Sequence, residues 1–417
     1  MLILGVKGFW EKAEKGFLFG LMLLIPTQLG KHFWPEWSLV QGVRVDYLSP
    51  TLYLVDICWL GWVVSKLRVT SYQLRVRKIL SFQNLMILAL VIINILVAEN
   101  KGIAIYRWLR LGQWWWTYKL IKGESFRVKR YLKKIIPWWI AGESLLGVAQ
   151  IAKGESIQGV MWWLGERRFS FTTMGIAQIS VFGQGLVRAY GTFSHPNSLA
   201  GFLVVAMGLW MMFYKKVSRW WWWTVIWVGL LGILISGSRT IWLLAIGLMV
   251  INFIRVFKGK IGIKKIIGYL AVILGLGILG VGMVSVNYRT SDFLGGWDSD
   301  SLSKRMNLNL VAIKMWRENF IIGVGAGNFI PKLPEYQKES KFYWLQPVHN
   351  IFLLGGVEIG MLGVVGVIWL FRDWWERKGV RKKWWLWGLI AISGMVDHYW
   401  ITLPQNSWLL ALVMGII

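Results

Sequence analysis

The hydrophobic positions of the chain fall into long runs that alternate with shorter polar segments. Apolar runs of this length are typical of helices that cross a bilayer, which need roughly 17–25 residues. The pattern predicts about twelve transmembrane helices, some of them shorter, near residues 16–30, 51–65, 80–98, 103–119, 135–152, 196–214, 220–236, 240–257, 264–286, 348–371, 384–401 and 404–417. We therefore expect an all-α polytopic membrane protein that forms a single integral membrane domain over residues 1–417.

The composition agrees with a membrane protein. Hydrophobic residues make up 56% of the 417 residues, above the usual share in soluble domains. The single cysteine, Cys58, lies in an apolar run and has no second cysteine to pair with, so no disulfide framework is expected. Tryptophans cluster beside basic residues, as in residues 215–223, and indoles favour the headgroup level of a bilayer.

The formal net charge of +27 would suggest a nucleic-acid partner in a soluble protein. Here 29 of the 47 Lys and Arg residues lie in six short segments, 1–15, 66–79, 119–134, 215–219, 255–265 and 372–383. Short basic loops stay on the cytoplasmic side, so these segments and both termini are predicted to be cytoplasmic. The charge is therefore mostly a topology signal, and no nucleic-acid partner is expected because no binding module is visible.

Two longer segments, near 153–195 and 287–347, fall on the opposite, outer side. The second is a long extracytoplasmic loop before the tenth span, with an amphipathic helix predicted near 301–320. Its apolar stripe is Met306, Leu310, Ile313 and Phe320. Its start can be capped by Asp300 or Ser301, and Arg305 and Asn309 share another face. The glycines at 323, 325 and 327 are predicted to end it, and the prolines at 331 and 334 to prevent its resumption.

Three groups that can carry positive charge are predicted to converge on the outer face. Arg239 lies in the break between two spans formed by residues 236–240, Arg305 lies on the outer helix, and His349 follows the long loop. Arginine pairs with phosphate oxygens through two parallel hydrogen bonds, so the set suits a phosphate-bearing substrate. The alternatives are that Arg239 only snorkels, that Arg305 is a solvated surface charge, and that His349 only sits in the membrane interface.

His349 begins an apolar run, and neutral imidazole can take a proton near pH 7. Asn350 beside it either orients the ring or, as the more ordinary role, caps the helix. Glu358 follows nine residues after His349, some two and a half turns deeper on the same helix. An ionisable group inside a membrane span is costly, which makes Glu358 a functional candidate.

A further stretch, residues 188–200, contains Arg188, His195 and Pro196. Proline suits the first position of a helix, so Ser194 or His195 is predicted to cap the helix that follows. The alternative is that Arg188 or His195 lines the substrate pocket.

Other ionisable residues also lie in the apolar runs. Glu143 falls in the middle of a span, and Arg107 and Arg110 are predicted to pair with it, because unpaired charges in a membrane are costly. Asp397 and His398 end a span on the outer side and are ambiguous. No cluster with metal-ligand spacing is recognised there, since Asp292, Asp298 and Asp300 suit loop solvation or a helix cap better.

Four motifs resemble those of the O-antigen ligase and O-antigen polymerase superfamily of bacterial envelope enzymes. They are G-T-F-x-H-P-N at 191–197, S-G-S-R at 236–239, G-V-G-x-G-N-F at 323–329 after the outer helix with its arginine, and H-N-x-x-L-x-x-x-x-E-x-G at 349–360. Their order and the long outer loop before the histidine motif also match. The resemblance covers residues 185–365, and the first half of the chain matches only in general pattern.

The resemblance implies a multi-span glycosyltransferase of GT-C-like architecture in the cytoplasmic (inner) membrane. Such an enzyme moves a glycan from a polyprenyl-diphosphate carrier to an acceptor hydroxyl on the outer face, without a metal or other cofactor. The acceptor could be a lipid, a glycan or a protein, and membrane lipids surround the site. By motif, Arg239 and Arg305 would hold the diphosphate and His349 would activate the acceptor, with Arg188, His195, Asn350 and Glu358 as further binding candidates.

The alternative from another functional class is a transporter or flippase of lipid-linked oligosaccharide. Secondary transporters usually place their key charges near the membrane midplane, often on broken helices in repeated halves. Here the candidates cluster on one face and no internal repeat is visible. The sequence therefore favours the transferase.

Overall fold

The computed structural model describes residues 2–70, 82–181, 184–213, 216–256, 297–337 and 345–417. The predicted span at 264–286 lies outside these residues, as do Asp292, most of the basic segment 255–265 and part of the predicted loop 287–347.

The described chain is mostly helical, as expected for the all-α class. Its helices are α1 (Leu2–Leu23), α2 (Leu54–Thr70), α3 (Phe82–Val97), α4 (Lys101–Gly123), α5 (Ser125–Lys153), α6 (Val160–Trp163), α7 (Pro196–Met211), α8 (Arg219–Ile235), α9 (Arg239–Val256), α10 (Trp297–Glu318), α11 (Phe329–Tyr336), α12 (Ile351–Trp375), α13 (Lys378–Lys382), α14 (Trp384–Val396), α15 (Tyr399–Thr402) and α16 (Pro404–Ile416).

The strands are short and form two-stranded antiparallel ribbons in the connections between helices. They are β1 (Gly30–His32) paired with β4 (Thr51–Tyr53), β2 (Leu39–Val40) with β3 (Val43–Arg44), and β5 (Gln178–Val181) with β6 (Gln184–Val187). A short 3-10 helix spans Glu36–Ser38. The ribbons fall mainly in segments that were predicted to lie on the outer side, so they do not interrupt the helical bundle.

Within the described residues, two helices are both long and apolar enough to cross a membrane, Ser125–Lys153 and Ile351–Arg372. Shorter apolar helical stretches occur at Leu85–Val97, Pro196–Met211, Arg219–Ile235, Arg239–Asn252 and Trp384–Val396. These lie at places where the hydrophobic pattern predicts spans. The count of twelve and the GT-C-like architecture remain predictions.

The core of the bundle is built around α7. Every residue of this helix except Asn197 is buried, and it packs against α5, α8, α9, α14 and α16. A helix that is apolar on all sides must be surrounded, because no face of it is polar enough to prefer water. The N-terminus of α7 is consequently held at a fixed place among its neighbours, and the candidate site residues Arg188 and His195 immediately precede it.

The predicted cytoplasmic segments meet at one end of this bundle. Lys66 of α2 forms ion pairs with Glu14 of α1, at 3.6 Å, and with Glu124 between α4 and α5. Arg377, after α12, donates a hydrogen bond to the hydroxyl of Tyr118 at 2.7 Å. The described parts of the segments 1–15, 66–79, 119–134 and 372–383 therefore share one end, which agrees with their common assignment to one side of a membrane.

Segments predicted to lie on the outer side meet at the other end. The Thr27 hydroxyl donates to the carbonyl of Leu164 at 2.6 Å, which joins the first outer loop to the segment after α5. The amide of Asn100 donates to Oδ1 of Asn328 at 2.8 Å, which joins the α3–α4 turn to the segment after α10. Which side of the membrane this end faces remains a prediction.

The outer helix predicted at 301–320 is α10, and it begins earlier than predicted. Asp300 and Ser301 lie inside the helix, so the prediction that one of them caps its start is wrong. The buried side chains are Leu308, Ala312 and Met315. The predicted stripe of Met306, Leu310, Ile313 and Phe320 is exposed instead. Lipid is as apolar as a leucine side chain, so hydrophobicity alone does not tell which face of such a helix packs on protein.

The glycine motif that follows α10 shapes a loop rather than ending the helix. Helix α10 ends at Glu318, before Gly323, Gly325 and Gly327, whose φ angles are +79°, +97° and +74°. Only glycine adopts this left-handed region without steric cost. The prediction that Pro331 and Pro334 prevent a further helix is also wrong, because both lie within the short helix α11.

Helix α12 is broken at Gly360, where φ is 63° and ψ is −178°. The glycine loop inserts at this break. The amide of Val324 donates to the carbonyl of Val357 at 2.9 Å, and that of Gly325 donates to the carbonyl of Glu358 at 3.0 Å. A Cβ atom at position 360 would lie 2.4 Å from the carbonyl oxygen of Ile321, so only glycine fits. The motifs at 323–329 and 349–360 are therefore in direct contact.

Glu143 does not pair with Arg107 or Arg110, so that prediction is wrong. The buried Glu143 carboxylate accepts hydrogen bonds from the amide and the hydroxyl of Thr192, both at 2.8 Å. Arg110 instead forms an ion pair with Asp56 at 2.6 Å. The loop before α7 reaches Glu143 within α5, and it supplies the polar partners that a buried carboxylate needs.

The topology can be tested by thiol labelling. With Cys58→Ala removing the native thiol, Glu335→Cys, within the predicted outer range 323–345, should react with an impermeant maleimide added to intact cells. Lys382→Cys, in the basic segment 372–383, should react only after the membrane is permeabilised, because short basic loops stay in the cytoplasm. Labelling of permeabilised cells controls for reactivity. The reverse pattern in intact cells would overturn the predicted orientation.

Candidate functional site

Arg188 is fixed beside the N-terminus of α7 by two hydrogen bonds. Its Nε donates to the carbonyl of Ser236 at 2.6 Å, and its Nη2 donates to Oδ1 of Asn197 at 2.8 Å. Burial lowers the pKa of the Arg188 guanidinium to about 10, and the nearby charges of Arg305 and Arg239 act in the same direction. A group with this pKa is still charged at neutral pH.

The break between α8 and α9 places Arg239 next to Arg188. Helix α8 ends at Ile235, and Gly237 follows with a φ of +66°. A Cβ atom on Gly237 would approach Nε of Arg188 to 2.9 Å, so the glycine makes room for that side chain. Helix α9 then begins at Arg239, whose side chain is exposed. The small residues of this break therefore leave room for the side chains of Arg188 and Arg239 to lie close together.

Arg305 of α10 completes a group of three arginines. Arg239 and Arg305 both lie close enough to Arg188 for their charges to lower the pKa of its guanidinium. The carboxylate of Asp397 also lies near and raises that pKa. Like charges repel, so three guanidinium groups that lie near one another are stabilised by an anion between them. Such a place favours an anion.

Asp397 is the hydrogen-bonding centre of the site. It is buried at the end of α14, and its Oδ2 accepts a hydrogen bond from Nδ2 of Asn197 at 3.0 Å. Its Oδ1 accepts from the backbone amide of His398 at 2.8 Å and lies 3.5 Å from Nδ1 of His349. This one carboxylate thus connects the start of α7 with the start of α12.

His349 and His398 lie side by side. Their ring centroids are 5.0 Å apart, and Nδ1 of His398 lies 2.6 Å from the Thr402 hydroxyl. The 3.5 Å separation between His349 and Asp397 is at the long limit of hydrogen bonding, so the contact is electrostatic in this state. Catalytic hydrogen bonds are often long without substrate and tighten when substrate binds.

Asn350 caps helix α12. Its Oδ1 accepts hydrogen bonds from the amides of Phe352 and Leu353, at 2.9 and 3.0 Å. The predicted capping role is therefore confirmed. The cap fixes where α12 begins, and so it also fixes the backbone of the preceding His349.

His195 caps helix α7, as predicted. Its Nδ1 accepts a hydrogen bond from the amide of Asn197 at 3.1 Å, and Pro196 occupies the first turn. Burial lowers the pKa of His195 to about 4, although the Asp397 charge raises it. The ring is therefore neutral at neutral pH, as an accepting cap must be. The ring also lies within electrostatic reach of Arg188, His349 and Arg305, so the capping role and a place at the site coexist.

The structure brings five of the predicted residues together, namely Arg188, Arg239, Arg305, His195 and His349. Asn350 adjoins this group as a cap. Glu358 does not face it; instead its carboxylate lies near Arg107 and the backbone of Gly327 and Phe329.

Sequence reasoning left Asp397 and His398 ambiguous and did not single out Asn197 as a site residue. A signal was present, because two adjacent ionisable residues at the end of an apolar run are functional candidates by default. Their partners, however, lie far along the chain, with 200 positions between Asp397 and Asn197. Nothing local indicated that contact.

Comparison with protein-family models finds a match to the model described as O-antigen ligase over residues 224–368. The match begins in α8 and ends in the second part of α12. Residues 224–368 of this chain are therefore similar to the O-antigen ligase family. A search of curated proteins finds no match.

The O-antigen ligase match contains Arg239, Arg305 and His349, so the resemblance drawn from the motifs is confirmed. Arg188 and His195 lie before the matched residues, and Asp397 lies after them. The O-antigen ligase region therefore meets segments from both sides of it at the site. The match supports a membrane protein with an O-antigen ligase or polymerase type of function.

His349, Asp397 and His398 could also hold a metal ion. Their potential ligand atoms all lie within 4.8 Å of one another, and imidazole nitrogens with a carboxylate are a common ligand set for zinc. The expectation that no such cluster exists on this side is therefore wrong. Asp397 already accepts two hydrogen bonds, and a histidine bound to a metal cannot also accept a proton at the same nitrogen.

The family resemblance implies a metal-independent glycan transfer, so we expect any such transfer by the purified protein to persist after treatment with EDTA. Elemental analysis should find no stoichiometric zinc. Buffer without chelator and protein with added Zn²⁺ are the controls. An activity that EDTA removes and Zn²⁺ restores would assign the three residues to a metal site instead.

Proposed function

We propose that this protein transfers a glycan from a polyprenyl-diphosphate carrier to an acceptor hydroxyl on the outer face of the cytoplasmic membrane. The observation that carries the proposal is the convergence of Arg188, Arg239 and Arg305 beside His349. The family match supports the class of reaction, and the convergence supports its substrates. The acceptor is a lipid, a glycan or a protein that bears a free hydroxyl.

In this proposal the arginines bind the diphosphate. Guanidinium groups pair with phosphate oxygens in fixed geometry and keep their charge at any physiological pH. Negative charge grows on the diphosphate as its bond to the sugar breaks. Positive groups already in place stabilise that charge without reorganising, which is the largest contribution in many enzymes.

His349 would act as the general base. The acceptor oxygen attacks the anomeric carbon, the bond from that carbon to the phosphate oxygen breaks, and the acceptor proton passes to the imidazole. Polyprenyl diphosphate leaves with the bonding electrons. A positioned base of this kind typically contributes about 10²–10⁴-fold to the rate.

Asp397 would position the base. With Nδ1 of His349 directed at Oδ1 of Asp397, the proton of a neutral ring is favoured on Nδ1, and Nε2 is left to accept the acceptor proton. The carboxylate also stabilises the imidazolium that forms. Because Asn197 connects Asp397 to Arg188, the base and the diphosphate site are held in one network.

The proposed membrane arrangement has about twelve spans in a GT-C-like architecture, with both termini in the cytoplasm. The site end of the bundle then lies at the outer membrane boundary. There the polyprenyl tail of the donor remains in lipid while its diphosphate reaches the arginines. Residues 287–347 would form the extracytoplasmic loop that supplies Arg305.

Free polyprenyl diphosphate is the product that separates this proposal from a transporter or flippase. A transferase releases it when purified protein is given lipid-linked glycan and acceptor. A transporter moves the donor and leaves the linkage intact. The charged groups lie together at one end of the bundle, which agrees better with a transferase than with a midplane transport site.

The arginines should be essential for this release. Arg239→Lys keeps the charge but loses the two-pronged pairing with phosphate, so we expect a large loss of transfer with normal membrane insertion. Arg305→Ala should behave similarly. Arg317→Ala, which removes an exposed arginine from the same helix as Arg305, is the matched control. Near-normal turnover in either site variant would show that the arginine only snorkels or faces solvent.

His349→Ala should abolish transfer while donor binding is retained, because the base is lost and the arginines remain. Binding of labelled lipid-linked glycan and release of polyprenyl diphosphate are measured on the same preparation. His195→Ala is the matched control and should lower transfer much less, since that ring caps α7. The general-base assignment is wrong if His349→Ala turns over at the wild-type rate, or if it fails only because donor no longer binds.

A further inference from the structure

A polar cavity lies beside the rings of His349 and His398. Its walls belong to elements other than those that carry the three arginines of the proposed diphosphate site. It contains about 390 Å³ of empty space, including the part that opens to solvent. Its walls come from the loop before α2, from α4, from α11 and the loop before it, and from α12 and α15. The polar residues among its walls are Tyr47, Tyr106, Arg107, Glu358 and Thr402.

Arg107 and Glu358 face this cavity without contacting each other. In the part of the chain that the structure describes, no hydrogen bond or ion pair is formed by the Arg107 guanidinium, although Glu358 is near enough to act on its charge. The Glu358 carboxylate lies near the backbone of Gly327 and Phe329, and a carboxylate has several lone pairs to offer. Both side chains therefore retain hydrogen-bonding capacity toward the cavity.

The hydroxyl of Tyr47 is a third group with unused capacity. None of the hydrogen bonds in the described residues involves it, and its ring packs edge-on against His398 with centroids 5.3 Å apart. Tyr47 thus presents a hydroxyl and part of an aromatic surface to the same space as Arg107. Sites for small polar molecules combine apolar and aromatic walls with a few placed polar groups in this way.

The charges favour a neutral ligand over an anion. One guanidinium and one carboxylate offset each other, unlike the three arginines of the diphosphate site. Sugar hydroxyls both donate and accept, so a sugar ring can donate to Glu358 and accept from Arg107 at once. A phosphate would be attracted by Arg107 and repelled by Glu358.

A continuous chain of contacts connects the cavity to the diphosphate site through His349. Arg188 contacts Asn197, and Asn197 contacts Asp397. Asp397 lies beside His349, whose ring adjoins that of His398. On the far side, the ring of His398 contacts Tyr47 and the hydroxyl of Thr402, both of which line the cavity.

The position of Pro347 reinforces this arrangement. It lines the cavity and stands two residues before His349 in the chain. A ligand held in the cavity is therefore adjacent to the segment that carries the base, and the diphosphate site lies on the other side of that base. In a transfer reaction the acceptor hydroxyl must reach both the sugar of the donor and the group that takes its proton, so a bound acceptor must lie beside His349.

We propose that the cavity lined by Tyr47, Arg107 and Glu358 binds a neutral sugar residue of the acceptor. The proposal rests on the transferase function above and names the place where its second substrate lies. It assigns to Arg107 and Glu358 a binding role toward the acceptor, separate from that of the arginines toward the donor.

The test compares Arg107→Gln with Arg317→Gln, which removes an exposed guanidinium from α10. Labelled lipid-linked glycan extracted from a host strain lacking this gene is the donor. Membranes of a strain blocked in glycan assembly supply the acceptor and are titrated. Arg107→Gln should raise the half-saturating amount of acceptor about tenfold to a hundredfold, as for loss of a charged hydrogen bond. The half-saturating donor concentration should stay unchanged, and Arg317→Gln should match wild type.

Tyr47→Phe guards against a folding defect, since it keeps the ring contact with His398 and removes a hydroxyl that has no hydrogen bond in the described structure. Loss of one neutral hydrogen bond should raise the half-saturating acceptor about threefold to tenfold. If Arg107→Gln does not fold or insert into the membrane, the result for Tyr47→Phe decides whether the cavity binds the acceptor.

The proposal is overturned if both variants bind acceptor as wild type does, or if the donor requirement rises instead. Wild-type protein that releases no polyprenyl diphosphate would refute the transferase function itself. That failure is visible before any variant is compared, so the two proposals fail in distinguishable ways.

Discussion

The site depends on one constraint, that the buried carboxylate of Asp397 must be surrounded by groups that stabilise its charge. Removing an ion from water is expensive unless hydrogen bonds and opposite charges replace the solvent. Asn197, the His398 amide and His349 supply them, each from a different segment. Helices α7, α12 and α14 therefore cannot shift independently at this end of the bundle, and the relative positions of Arg188 and His349 follow from that.

The need to satisfy buried polar groups also explains how helix α12 can be broken at Gly360. Inside a membrane protein, irregular backbone is tolerated where protein groups satisfy the freed hydrogen-bonding atoms. At Gly360 the glycine loop does so, since amides at 324 and 325 donate to carbonyls of α12 and the amide of Met361 donates to the carbonyl of Phe320. Asn94 of α3 donates to the carbonyls of Ile322 and Glu358, which fixes the inserted loop further. The break places Glu358 beside backbone amides and Arg107 rather than in lipid.

Features that depend on neighbouring residues could be predicted from the sequence. The caps by His195 and Asn350 are local, because each side chain bonds to amides two or three residues away. The convergence of Arg239, Arg305 and His349 was predicted from their common place on the outer side of the topology, and Arg188 was offered only as an alternative pocket residue. The pairing of Glu143 and the buried face of α10 were predicted wrongly, because their partners come from distant segments. In a membrane protein, moreover, an apolar stripe can face either lipid or protein.

In the proposed transfer, two charges develop at the same moment and each has a fixed partner. Negative charge grows on the leaving diphosphate, beside Arg188, Arg239 and Arg305. Positive charge grows on His349 as it takes the proton, beside Asp397. Arginines alone would oppose the second change, because they repel an imidazolium. Asp397 offsets that repulsion from the Nδ1 side of the ring, and Asn197 links the carboxylate to Arg188 through one hydrogen bond to each. The carboxylate between the two sites is therefore what allows a strongly cationic donor site and a working base to lie side by side.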